Sequence, residues 1–139
     1  MDQSIIFFLA AIIIVGALLF ALTCANKKGK KYLNVEYYRA KCLEIEHQLK
    51  SDQPSSFHLS VINADKLLDQ ALRERGMNGK TMGERMKSAI DMFSDRNGIW
   101  MAHKLRNRIV HEPDVRVTYN EAKYALRSFR TALKDLGAI

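Results

Sequence analysis

Residues 4–25 read SIIFFLAAIIIVGALLFALTCA, without one charged side chain, and Ile5 to Leu22 holds only apolar residues and Gly16. As a helix this stretch would be about 33 Å long, enough to cross a hydrocarbon core of about 30 Å. A helix buried on one side in a soluble protein would show polar residues at every third or fourth position, and none occurs here. A cleaved signal peptide would need a basic leading region, whereas the chain starts Met-Asp-Gln-Ser, and the apolar run exceeds the usual length of such signals. Ala21-Leu22-Thr23 is a poor approach to Cys24 as a lipidation site. The sequence therefore predicts an uncleaved, single-span transmembrane anchor over residues 1–26.

The next five residues decide orientation. Lys27, Lys28, Lys30 and Lys31 form a basic juxtamembrane segment, 27–31, while no base precedes the apolar run. The positive-inside tendency puts the N-terminus outside and the rest of the chain in the cytoplasm of a single-pass cell-membrane protein. There the four lysines lie against anionic headgroups at the membrane surface.

Residues 32–139 have the length of one domain. The chain has 139 residues, 47% of them hydrophobic, which excludes large enzyme folds such as barrels and doubly wound dinucleotide binders. With 2 Pro and 7 Gly it does not read as disordered or low-complexity. Cys24 and Cys42 make neither a disulfide framework nor a zinc site. All 22 bases but only 14 of the 15 acids lie beyond residue 26, so residues 27–139 carry +8. That balance admits a polyanionic partner such as RNA, or a membrane surface.

Apolar spacing makes residues 32–139 all-α. Val35, Tyr38, Cys42, Ile45 and Leu49 recur at helical steps within a helix expected over about 30–51. Pro54 opens the next, with Phe57, Val61, Ala64, Leu68, Ala71 and Leu72 inward and an end near Gly76. Thr81 and Glu84 have capping-box spacing before a third stripe of Met82, Met86, Ala89, Ile90 and Phe93. Asp95-Arg96-Asn97-Gly98 reads as a turn into a helix over about 99–112 that Pro113 stops. Thr118 and Glu121 repeat the capping box ahead of Ala122, Ala125, Leu126, Phe129, Leu133 and Leu136, with Gly137 as terminator. No stretch alternates with the period of a strand. The expected architecture is an antiparallel up-down helical bundle behind a transmembrane helix. Met82, Met86, Met92 and Met101 are read as core filler, and Cys42 as buried and inert.

The chemistry concentrates in Trp100–Pro113, WMAHKLRNRIVHEP. At 100° per residue Ala102, Leu105 and Ile109 share a face that should meet the core. His103, Asn107 and His111, four apart, take the other side with Trp100 beside them, and Arg106 lies about 140° from His111. An arginine and a histidine near a phosphodiester suffice for metal-free RNA cleavage. The guanidinium forks onto the phosphate and stabilises its developing charge. An imidazole titrates near neutrality and can take or give the ribose 2′-hydroxyl or leaving-group proton. A dimer facing this helix across a twofold axis would pair two histidines, one as acid and one as base.

Arg106-Asn107-Arg108-Ile109-Val110-His111 resembles the R-x4-6-H motif of HEPN domains, with the favoured polar residue directly after the arginine. The resemblance implies a helical bundle, a homodimer through the motif helix and metal-independent ribonuclease activity, as in toxin–antitoxin and defence systems. Arg106 and His111 would be the catalytic pair and Asn107 the accessory polar residue. From their own place on the same helix, Arg108 and His103 are read as substrate-binding neighbours. An inhibitory protein partner would accompany a toxin. Toxins of this family controlled by a nucleotidyltransferase carry a Tyr two residues after the motif His, where Pro113 stands here.

No other chemistry emerges. His47 and His58 are isolated from acids at ligand spacing, so no metal site is expected, and no nucleophile arrangement or Gly-rich phosphate loop implies a cofactor. The sequence thus predicts a membrane-tethered HEPN-like ribonuclease. The competing expectation is a non-catalytic helical module recruiting a protein or nucleotide to the membrane.

Overall fold

The computed structural model describes residues 2–25 and 32–139, except the side chains of 23–25. The four juxtamembrane lysines, Lys27, Lys28, Lys30 and Lys31, lie outside the described residues. The chain divides into two compact units, 1–30 and 31–139.

In the first unit, α1 (Gln3–Ala25) is one uninterrupted helix. Phe7 and Phe8 are three-quarters exposed, and its aliphatic side chains are likewise uncovered on every side. Such a surface suits hydrocarbon rather than water, and the helix is long and apolar enough to cross a membrane.

The second unit is built from α2 (Val35–Gln48), α3 (Pro54–Glu74), α4 (Met82–Ser88), a single 3-10 turn (Ile90–Met92), α5 (Arg96–His111) and α6 (Tyr119–Asp135). No strand occurs among the described residues. α3 is the central helix and packs on α2, α4, α5 and α6, while α5 also packs along α6. Its stripe of Phe57, Val61, Ala64, Leu67, Leu68, Ala71 and Leu72 is buried, each large side chain contributing about 1.5–3 kcal/mol of transfer free energy. Leu126, Phe129, Leu133 and Leu136 complete the core from the α6 side.

The helix ends are set by local chemistry. α6 starts with a complete capping box in which Thr118 and Glu121 satisfy each other's backbone N–H groups. Just past the end of α3, Gly76 has a φ of 80° that allows the Met77 N–H to reach the Leu72 carbonyl at 2.9 Å. Gly137, φ 73°, closes α6 in the same way.

Four expectations change. The first bundle helix begins at Val35, because the Asn34 side chain accepts the Tyr37 N–H at 3.1 Å and caps it there; Val35 itself stays outside the core. The third stripe is not one helix: α4 closes at Ala89, whose N–H is shared between the Arg85 and Met86 carbonyls, and a 3-10 turn succeeds it. Asp95-Arg96-Asn97-Gly98 is no free turn but the start of α5, with the Asp95 carboxylate capping the Gly98 N–H at 2.8 Å. Met101 is not core filler. It is 60% exposed, beside Leu105 and Tyr124 on an open groove between α5 and α6.

Candidate functional site

A cleft of about 440 Å³ opens where α3, α4 and α5 meet. Its floor is Asp65, on the α3 stripe between Ala64 and Leu68, with a side chain only 3% exposed. A buried carboxylate needs charged or hydrogen-bonding partners, and α5 supplies them. His103 Nδ1 lies 2.8 Å from Asp65 Oδ1. Arg106 Nε lies 3.2 Å from Asp65 Oδ2, near enough for charge attraction but off the line of a hydrogen bond.

Asn107 closes the network. Its Oδ1 accepts from Arg106 Nη1 at 2.9 Å, and its amide nitrogen is 3.3 Å from His103 Nε2. An ionised Asp65 accepts from Nδ1–H, which leaves Nε2 as the basic nitrogen and makes the Asn107 amide its donor. Trp100 meets the imidazole edge-on, ring centroids 6.2 Å apart. Arg106 Nη2 makes no hydrogen bond among the described residues, and the side chain is 26% exposed at the cleft.

A second charge cluster forms the facing wall. Arg85, nearly buried, holds Asp69 through Nε at 2.8 Å and Nη2 at 2.6 Å, and donates Nη1 to the Gly79 carbonyl at 2.9 Å. Arg73 takes the other oxygen of Asp69 at 2.8 Å. The exposed Lys66 and Lys80 also line the cleft, so five cations surround two carboxylates. Such a cleft attracts anions.

The sequence-nominated residues divide accordingly. Arg106, Asn107 and His103 come together in the cleft. Helical projection alone puts His103 on the side of α5 away from the core, yet it is buried, because Asp65 draws it inward. The buried side of α5 is Gly98, Ile99, Ala102 and His103, with Leu105 and Ile109 only half covered.

His111 is exposed at the last residue of α5, about 7.5 Å further along the axis than Arg106, and does not line the cleft. Arg108 is also outside it, half-exposed and 3.5 Å from Glu112. Sequence reasoning missed Asp65, Asp69, Arg73 and Arg85. The signal for Asp65 was present: an acid stands at a core position of the α3 stripe, where an aliphatic residue belongs.

No family model, characterised protein or solved structure matches this chain. The site must therefore be read from its own chemistry. A buried carboxylate orients an imidazole, an amide and a guanidinium share the opening, and cations ring it. Among the described residues no group of three His, Cys, Asp or Glu is placed to hold a metal ion. Elsewhere, Cys42 is buried, and desolvation pushes its thiol up to about 11, with the Glu46 charge adding to the effect.

Proposed function

We propose that the chain is a membrane-tethered, HEPN-like endoribonuclease that cleaves RNA without a metal ion. Arg106 binds the scissile phosphate through Nη2, and His103 Nε2, from which the 2′-hydroxyl displaces the Asn107 amide, takes the ribose 2′-hydroxyl proton as the oxygen attacks phosphorus. The 5′-oxygen leaves with a proton from a second imidazole, His111 of another copy in a homodimer. The products are a 2′,3′-cyclic phosphate and a 5′-hydroxyl. Asn107 holds Arg106 throughout and His103 only until substrate enters, and Asp65 keeps the His103 tautomer that leaves Nε2 basic.

The observation that carries this reading is the convergence of Arg106, Asn107 and His103 on an open, cation-rimmed cleft over a buried carboxylate. The test is RNA cleavage by the full chain in detergent with EDTA, beside Arg106→Lys, His103→Ala and His111→Ala, all shown folded by circular dichroism. Cleavage that survives chelation and falls about 100-fold or more in each variant supports the assignment. Full activity in all three overturns it.

The runner-up is a non-catalytic module that recruits a protein or nucleotide to the membrane. It is favoured by the charge of Arg106 being already met by Asp65, and by the open groove at Met101, Leu105 and Tyr124. A folded dimer that cuts no RNA, yet retains a protein partner that Met101→Asp releases, selects this reading.

A further inference from the structure

Two adjoining open clefts lie along the seam of α2 and α6, on helices other than those that form the α3–α4–α5 cleft. They have volumes of about 310 and 420 Å³ and share Arg130. α6 sends Lys123, Arg127, Arg130 and Lys134 to this seam at steps of four, three and four, hence from one face of the helix. α2 adds Arg39 and Leu43. Among the residues lining the two clefts these five cations meet one acid, Glu46, which is occupied by Arg130 at 2.8 and 2.9 Å. Arg39, Arg127 and Lys134 are exposed and make no ion pair among the described residues. The seam is thus a basic strip with four cationic side chains in excess, whereas two carboxylates offset the five cations of the α3–α4–α5 cleft.

We infer that this seam docks on anionic lipid headgroups and holds the bundle against the bilayer that α1 enters. The inference rests on α1 being a membrane anchor, and is independent of any ribonuclease activity. Three observations favour lipid over a soluble polyanion. Nine residues, 26–34, separate α1 from α2. Fully extended they reach only about 30 Å, so a bilayer is present at high effective concentration. Lys123 and Lys134 are about 16 Å apart along α6, a spread suited to a plane of headgroups rather than a single phosphate. Leu43, 44% exposed amid the cations, and Tyr32, 93% exposed just ahead of α2, are side chains that an interface accepts and water does not favour.

The test uses the full chain in vesicles of phosphatidylcholine alone or mixed equally with phosphatidylglycerol. Membrane integration is checked first by resistance to carbonate extraction. Amine acetylation is then followed by mass spectrometry at Lys123 and Lys134, with Lys66 and Lys80 of the other cleft as internal controls.

The expected result is about threefold or greater slowing at Lys123 and Lys134 in the anionic vesicles, none at the controls, and reversal in high salt. Arg39→Glu with Arg127→Glu, which leaves the reporter lysines in place, should abolish the slowing. Integrated protein with equal labelling in both lipids overturns the docking surface while leaving the anchor intact. Release by carbonate overturns the anchor and the inference with it. Protection of the same lysines by added RNA, but not by phosphatidylglycerol, reassigns the seam to nucleic acid.

Discussion

Asp65 Oδ1 on α3 and His103 Nδ1 on α5 are 2.8 Å apart across 38 residues of chain, and this contact turns a helix bearing an R-x4-H pattern into one wall of a cleft. It rotates α5 so that the imidazole faces inward and brings the Arg106 guanidinium to the same carboxylate. Asp65→Asn keeps the size of the side chain but removes the charge that both partners use. We expect destabilisation of about 2–3 kcal/mol, below the usual range for breaking a buried pair because Arg106 is a quarter exposed to water. Thermal unfolding should shift down by about 10 °C or more. An unchanged midpoint would show that the contact does not organise the bundle.

Gly98→Ala should loosen the junction of α5 with α6. A Cβ there collides with the Asp95 carboxylate and comes within 2.8 Å of Ser128 Oγ, so either the cap or the helix spacing must give. The cost should be about 1–3 kcal/mol, measured by urea denaturation. A neutral result would mean that α5 shifts freely along α6.

The capping box at Thr118 predicts a signed pH effect. Hydrogen bonds from the Thr118 N–H and hydroxyl hold the Glu121 carboxyl below its ordinary value. A folded-state pKa that is depressed contributes stability above the unfolded value and loses it as pH falls through the folded one. Glu121→Gln should therefore destabilise the bundle at pH 7 and flatten the decline of stability below about pH 4. Thr118→Ala should cost about 1 kcal/mol at neutral pH. Parallel pH curves for wild type and Glu121→Gln would exclude this contribution.

Cys42 should be a poor nucleophile in the folded chain. With its thiol pushed up to about 11 by burial, the thiolate fraction near pH 8 is roughly 100-fold below that of a free cysteine. Iodoacetamide labelling of the Cys42 peptide, read by mass spectrometry, should be slow in buffer and fast in urea. Equal rates would show that the α2–α6 seam opens readily.

Much of the architecture was legible because helices announce themselves locally. Apolar steps of three and four placed α3 and α6, and Thr118 with Glu121 marked a start that the structure keeps to the residue. Boundaries failed where a single side chain decides them. Asn34 starts α2 later than the stripe implies, and Asp95 makes a cap out of an apparent turn. The site was legible only in part. Arg106, Asn107 and His103 stand within one helical turn and a half, so their nomination needed no knowledge of the rest of the chain. Asp65 belongs to another helix, and only packing brings it to them.

The sequence by itself determined that an apolar, uncharged helix precedes an all-α domain, and that one short basic helix holds most of the candidate chemistry. Periodicity, caps and charge are properties of neighbouring residues and survive without a fold. Only the tertiary structure decided that His103 and Arg106 meet on a buried carboxylate. On an isolated helix His103 is already the nearer of the two histidines to Arg106, about 60° away against about 140° for His111, but both are exposed. Asp65 buries one of them, because a carboxylate without water must be met by hydrogen bonds and positive charge, and the packing of α3 on α5 puts His103 and Arg106 within its reach.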